Sequence, residues 1–472
     1  MRVVLSYTVV GQHGMSSDLH WTSVQNGLLL SGFFWGYLVG NFPGGILASR
    51  YGGRPILLGS MSLQIGLTLL SPLAARSGIY YFFFVRFLLG VVQGPLYPAC
   101  QTILSRWLRS DERSRGNSMF DSGSYLSTAV SLGFGTKIMN ALGSWSMMYY
   151  GCGVVCLLFL LVAFLRVESF PGEVEELEGE QAEEEVVDHA AEMRAALVTT
   201  TVSINRQNNK VVVVSNLAKG LFPWRELLLR KSIVAAIAGP TSINWSIYMF
   251  LTYLPLYAEQ QLGLNSTDMG PLFVTPYVLS WIIGVLNSFL ADYFIRSQLM
   301  SITNVRKLMQ MVACLVMSAA LLLLGSTSRS HVPVLLCFAI VAGGGITASG
   351  STAVPMDLSI KYAGFIKGVA NSIGTLGGAL NPILVGFLLS TGGCPSEDLM
   401  GKNKTEALVE AHTKGCKGAW TQAFTIAAVI SVAGGVTFLL LGSSVPIVLK
   451  EEKEEEEEEE EEEEQRAPLR SC

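Results

Sequence analysis

YFFFVRFLLGVVQGPLYPA, from Tyr81 to Ala99, is an apolar run broken by a single charge, Arg86. No acidic residue accompanies it on the same stretch. A charge at the centre of a bilayer costs about 2.5–3.5 kcal/mol even on the most lenient insertion scale, so such residues face a bundle interior or a watery cavity. The run is long enough to cross a hydrocarbon core, and its arginine asks for a polar interior to face. A polytopic membrane bundle built around a cavity satisfies both demands.

The rest of the chain repeats the pattern. Of 472 residues, half are hydrophobic and 15% are charged, a balance that excludes a disordered chain and fits a soluble one poorly. Apolar runs of about twenty residues, the length that spans ~30 Å of hydrocarbon, recur eleven times. Five fall early: Gly27–Ala48, Ile56–Ala74, Tyr80–Leu104, Ser118–Ala141 and Met147–Leu165. Six follow: Ile233–Tyr257, Gly270–Ala291, Leu308–Leu324, Val334–Pro355, Ala363–Leu389 and Trp420–Leu441. The N-terminal MRVVLSYTVVG is apolar but too short to cross. The fold class expected is an all-α polytopic membrane protein.

The net charge of −5 is unevenly spread. Glutamates gather in EVEELEGEQAEEE after Gly172 and in the run Glu454–Glu464. Blocks of like charge repel and stay solvated, so both read as disordered linker or tail. Arginines and lysines cluster in alternate short loops, around Ser49–Arg54, Arg106–Arg115, Phe294–Lys307 and Lys361 with Lys367. The positive-inside rule turns these loops toward the cytoplasm. The intervening loops carry the sequons at Asn265 and Asn403 and the cysteines Cys394 and Cys416, where glycosylation and a disulfide are possible. A third sequon, at Asn244, falls inside a span and reads as chance.

The longest break between spans divides the chain into halves of six, counting the N-terminal stub. GILASRYGGR after the second span has a faint echo in SFLADYFIRS after the eighth. Matched halves are the hydropathy symmetry of transporters built from repeats. The domains expected are residues 1–166, a first half with an incomplete first helix; 167–231, an acidic cytoplasmic linker; 232–447, a second half; and 448–472, an acidic tail.

At this level the motifs become recognisable. GILASRYGGR resembles the loop motif of the major facilitator superfamily, and RFLLGVVQG, with Arg86, Gly90 and Gly94, resembles its fourth-helix motif. SGFFWGYLVGNFPGG (Ser31–Gly45), GPLYPACQTILSRWLRSDERSRG (Gly94–Gly116), FPWRELL (Phe222–Leu228), NWSIYMFLTYLPLY (Asn244–Tyr257), SITNVRKLMQ (Ser301–Gln310) and KYAGFIKGVANSIGTLGG (Lys361–Gly378) are similar to solute carrier family 17. That family comprises organic-anion and phosphate transporters. The resemblance implies a twelve-helix alternating-access carrier whose partners are a small anion, a coupling ion (proton or sodium) and the bilayer, with no nucleic acid.

Within this reading Arg86 either binds the anion, through the two parallel hydrogen bonds a guanidinium offers a carboxylate or phosphate, or ties helices together. Arg2 resembles the cavity arginine of the family's first helix, here beside the initiator methionine, so a truncated helix is expected. Gln93 stands where proton-coupled members carry a glutamate, and a glutamine cannot titrate. Leu30 and Ile243 replace a histidine and an arginine of some members, which argues against a glutamate-type or sialic-acid-type carrier. Tyr97, Tyr125, Trp245, Tyr248 and Asn371 match polar or aromatic motif positions and are further substrate-binding candidates, although aromatic residues in bundles also simply pack. Arg50, Arg54, Arg113, Arg115, Asp292, Arg296 and Asp357 lie at cytoplasmic helix ends as candidate gates, or in part as topology signals.

The glycines of AGGGITASGS (Ala342–Ser351) and GTLGGALNP (Gly374–Pro382) read as helix-packing surfaces. Neither is followed by the lysine and hydroxyl residue of a P-loop. Five scattered histidines form no metal-ligand spacing, and no nucleophile–base arrangement is present, so neither enzyme nor cofactor is expected. A neutral-solute or drug carrier on the same fold, or a non-transporting receptor or scaffold, are the competing functions. The membrane could be plasma, vesicular or plastid.

Overall fold

In the computed structural model the described residues are 15–21, 23–167, 202–205, 210–213, 223–262, 270–327, 332–391 and 406–447. The first half contains α1 (Ser23–Tyr51), α2 (Gly53–Ser77), α3 (Ile79–Gln93), α4 (Leu96–Trp107), α5 (Arg113–Leu142) and α6 (Trp145–Arg166). The second contains α7 (Lys231–Leu262), α8 (Gly270–Arg296), α9 (Ile302–Ser326), α10 (Val332–Ile346), α11 (Ala363–Thr391) and α12 (Glu406–Leu441). Every stretch read as a span from sequence is helical.

Two of those spans are broken. The run that opens at Tyr81 stops at Gln93 and resumes at Leu96, because Pro95 removes an amide donor. The run after Val332 gives way to a 3-10 turn at Thr347–Ser349 and a short helix at Val354–Leu358. Interrupted helices at corresponding places in two halves point to a central site, since freed backbone groups at membrane depth must line a cavity or be buried in protein.

Among the described residues nine stretches are long and apolar enough to cross a membrane, and the chain is a multi-pass integral membrane protein. On α6 the side chains from Val154 to Leu165 that face outward are 45–71% exposed and all apolar. Such a surface is stable only against lipid tails.

Each half is held by close helix contacts that small residues permit. A side chain on Gly36 or Gly40 of α1 would run into the Phe87 or Val91 carbonyl of α3, and one on Gly90 into the Phe33 carbonyl. In a membrane, where no hydrophobic force separates helix from lipid, such backbone approach is the main source of packing. The glycines of the two later motifs behave as read from sequence: Gly345 abuts the Ser280 carbonyl, Gly377 abuts Trp245, and Gly378 abuts Phe34 of the other half.

The halves meet along α1 with α11 and α5 with α8. The echo between GILASRYGGR and SFLADYFIRS has a structural meaning here. Ser49, at the end of α1, accepts a hydrogen bond from the Phe365 backbone amide at 3.2 Å. Asp292, at the end of α8, accepts one from the Arg115 backbone amide at 3.2 Å. Phe365 and Arg115 are each the third residue of their helices. Each half therefore supplies a side chain to an orphan amide at a helix start of the other.

Between the two sets of helices lies one short β-ribbon beside the all-α membrane architecture. Val202–Asn205 pairs antiparallel with Lys210–Val213, Val202 opposite Val213. The β-branched residues of VSIN and KVVV favour this ribbon. Arg2, the acidic run after Gly172, the tail, Asn265, Asn403 and Cys394 lie outside the described residues. Cys416 is disulfide-bonded, whereas Cys100, Cys152, Cys156, Cys314 and Cys337 are free.

Candidate substrate cavity

A cavity of about 540 Å³ lies between the halves. The broken helices provide its floor: Gln93, Leu96 and Tyr97 from one, Thr347, Ala348, Ser351 and Thr352 from the other. One face of α7 forms a wall with Pro240, Asn244, Ile247, Tyr248 and Leu251, which recur at helical spacing.

Gln93, Tyr97, Tyr125, Tyr248 and Asn371, all named from the motifs, line this space. Asn371 also donates to the Tyr37 hydroxyl at 3.2 Å, a bond between halves. Trp245 is placed elsewhere. Its carbonyl accepts from Asn381 at 2.7 Å and its side chain packs against the core of the second half. Asn244, one residue earlier, occupies the cavity face instead.

Arg86 is not among the lining residues of the large cavity. It is 3% exposed, with its guanidinium 5.3 Å from the centre of the Phe33 ring. It lines a separate space of about 10 Å³ with Gln64, Thr68, Gln93 and Tyr149. Gln64 and Gln93 border both spaces and stand between Arg86 and the larger one.

Among the described residues, the cation that lines the cavity is Lys367, which the sequence groups with the basic loops. It lies in the second turn of α11 and is 5% exposed. Its ammonium is 3.7 Å from Asp121 of the other half and 5.9 Å from the centre of the Tyr97 ring. It donates to the Thr352 carbonyl at 3.5 Å. Asp121, also lining the cavity, accepts from Asn117 at 3.2 Å. Asn117 donates in turn to the Ala348 carbonyl at 2.7 Å and Thr352 Oγ1 at 3.0 Å, in the unwound stretch.

Below the cavity, at the end with the basic loops, the halves are tied shut. Arg115 Nε meets Asp292 at 2.9 Å, and Arg113 meets Asp357 at 3.4 Å. Arg296 meets Asp111 at 3.1 Å and Glu112 at 3.4 Å. Five of the seven gate candidates thus bridge the halves. Arg54 instead donates to the Phe164 carbonyl within its own half, and Arg50 lies over the Tyr51 ring at 5.7 Å. Sequence reasoning missed the centre of this layer, Arg306. It is 1% exposed, donates to Asp357 at 2.8 Å, and reaches Ser114 of the other half at 2.6 Å. Its position inside SITNVRKLMQ, just before an apolar run, was the available signal.

Residues 3–382 match the family model described as Major Facilitator Superfamily. The chain is 30% identical over 426 residues to "Probable anion transporter 4, chloroplastic" of Oryza sativa subsp. japonica, covering 90% of this chain and 63% of that one. It is 31% identical to "Sodium-dependent phosphate transport protein 1, chloroplastic" of Arabidopsis thaliana, covering 80% and 69%. The chain thus spans about two thirds of these relatives' lengths. Among solved structures it is similar to the proton:xylose symporter XylE bound to 6-bromo-6-deoxy-D-glucose, with TM-score 0.64, 14% identity and 94% coverage of both chains. That last likeness concerns the fold alone. Interrupted central helices, paired halves and this match over most of its length agree: the chain belongs to the Major Facilitator Superfamily, within solute carrier family 17.

Proposed function

We propose that the protein carries a small organic or inorganic anion across its membrane by alternating access, with Lys367 as the cation that receives it. The observation that carries this reading is one buried ammonium facing a closed-bottomed cavity between two halves. At 3.7 Å and 3.5 Å its contacts to Asp121 and Thr352 are long, beyond the ~2.7–2.9 Å of a well-formed charge-assisted bond. Its donors are therefore poorly satisfied by the protein and suited to an incoming oxyanion. Gln93, Tyr97, Asn244 and Asn371 offer neutral hydrogen bonds around it. The names of the relatives, an anion transporter and a phosphate transporter, point to the same substrate class.

Alternating access follows from the layout. The ties at Arg113, Arg115 and Arg296 close one end, and rocking to the other state must break them. Only groups that interact differently in the two states bias such an equilibrium. The test is uptake by the full chain in proteoliposomes of phosphate, ATP, aspartate, glutamate and sialic acid, under an imposed potential and then ion gradients. Saturable uptake of one anion, lost in Lys367→Gln, is expected. Uptake of a neutral sugar with no anion, indifferent to Lys367→Gln, would overturn the reading.

A further inference from the structure

We infer that Asp121 is the proton site of this carrier: an anion arriving at Lys367 displaces Asp121, which takes up a proton and travels protonated with the anion. The inference rests on the anion-carrier reading and adds the coupling ion and its residue.

Charge in a confined space decides which group takes the proton. Among the described residues lining the cavity, Lys367 is the one cation and Asp121 the one carboxylate. They face each other across the two halves, Asp121 on α5 and Lys367 on α11. Asp121 is largely buried, with 14% of its side chain exposed. An oxyanion that reaches the ammonium brings a second negative charge beside Asp121. A second negative charge brought beside a largely buried carboxylate that has lost its cation favours the protonated form of that carboxylate. Asp121 keeps a neutral hydrogen bond from Asn117, so it remains in place once its charge is gone.

The other titratable groups facing this pair do not compete for the proton. They are the phenols Tyr97 on α4, Tyr125 on α5 beside Asp121, Tyr37 on α1, Tyr248 on α7 and Tyr277 on α8, with the thiols Cys100 and Cys156. Phenols and thiols ordinarily stay neutral below about pH 8. Toward the basic-loop end the next charges are Arg113, Asp357 and Arg306, already engaged with one another. The exchange balances: the Asp121 carboxylate, the Lys367 ammonium, an anion and one proton from the open aqueous side become a carboxylic acid and an ammonium–anion pair. No other bond is made or broken.

The exchange also loosens the molecule where it must move. With Lys367 turned to the anion, the attraction between α5 and α11 beside the cavity is lost. Loaded protein is therefore freer to rock than protein holding an unprotonated Asp121 alone.

The test uses full-length protein in proteoliposomes. Counterflow of radiolabelled phosphate, ATP, aspartate, glutamate and sialic acid first identifies which anion is carried. For that anion, KM for net uptake into anion-free vesicles is measured between pH 5.5 and about 8, correcting for its own ionisation, while an entrapped pH dye reports proton entry. The expected wild-type KM falls with falling pH, by up to about tenfold per pH unit, and protons enter with the anion. In Asp121→Asn the competitor is neutral at every pH, so KM is lower than wild type at pH 7.5 and flat, and dye-reported proton entry is lost. Wild-type counterflow together with a flat KM and no proton entry during net uptake would overturn the inference and leave the carrier standing. Asp121→Asn that keeps the wild-type slope would overturn it equally. No counterflow with any anion would remove the carrier reading, and this inference with it. If Asp121→Asn does not fold, proton uptake on adding the carried anion to detergent-solubilised wild type in weak buffer decides the matter, and none taken up is the adverse result.

Discussion

Arg86 and Lys367 are buried to a similar extent, 3% and 5% exposed, and their surroundings differ completely. Arg86 sits against the Phe33 ring in a space of about 10 Å³, screened by two glutamines. Lys367 faces about 540 Å³ and a carboxylate of the opposite half. Burial alone therefore says little about role. What distinguishes them is which side of the glutamine wall each occupies, and whether the partner belongs to the same half.

The sharpest way to break this contrast is to neutralise each cation in turn. Lys367→Gln removes the charge-assisted bonds to the anion, each worth about 1.5–3 kcal/mol. With two such bonds, kcat/KM for uptake should fall by roughly 100-fold or more. The double variant with Asp121→Asn should restore folding yield, because no carboxylate is then left buried without its cation, but not transport. Uptake kinetics and the elution profile of the purified variants measure both. If Lys367→Gln transports normally, the ranking of the two cations is wrong.

Asp357→Asn should have the next largest effect, and it brings in another buried cation, Arg306. Here the carboxylate is shared between Arg306 at 2.8 Å and Arg113 of the other half at 3.4 Å. Removing one partner of a buried pair costs about 3–5 kcal/mol. That loss falls mainly on the state with this end closed. The expected outcome is an increase of about tenfold or more in labelling, from the basic-loop side, of a cysteine introduced at Ser351 in a background with the free cysteines replaced. Unchanged labelling would mean that Asp357 holds only its own half together.

Arg86→Gln ranks third. Its ring contact is worth about 2 kcal/mol when desolvated, and it touches neither the cavity nor the other half through that contact. Thermal stability should therefore drop by a few degrees, while KM for the carried anion moves less than about threefold. A large rise in KM with stability intact would place Arg86 at the anion after all, through rearrangement of Gln64 and Gln93.

The sequence announced Arg86 and concealed Lys367 for one physical reason. Arg86 interrupts a long apolar run, so its cost in hydrocarbon stands out. Lys367 comes six residues after Lys361, at the mouth of a span, where a lysine ordinarily marks a cytoplasmic loop. Its burial follows from the close approach of α11 to α1, which Gly45, Gly364 and Gly368 permit, and no periodicity reports that approach. The helices and the halves were legible because span length and loop charge are properties of single segments. Inward-facing side chains on α7 were half legible. Trp245 and Tyr248 share a face on a helical wheel, yet the cavity selects Asn244 and Tyr248, because α7 also packs against α11 and α12 and that packing sets its rotation. The ribbon at Val202–Asn205 was overlooked because the glutamates before it dominate the composition of the linker.

The smallest effect separates tight ties from loose ones within the closed end. Arg296 reaches Asp111 and Glu112 at 3.1 Å and 3.4 Å, but its side chain is 45% exposed and theirs are 32% and 39%. Exposed pairs contribute about 0–1 kcal/mol and are screened by salt. Arg115, by contrast, meets an Asp292 only 4% exposed, which also holds the Arg115 backbone amide at the start of α5. Arg296→Ala should therefore change uptake less than about twofold, and the change should vanish at high ionic strength. Arg115→Ala should exceed it at every salt concentration, because the charge it leaves behind is buried. Equal effects would mean that the two bridges act as one network, with Glu112, which contacts both arginines, as the link.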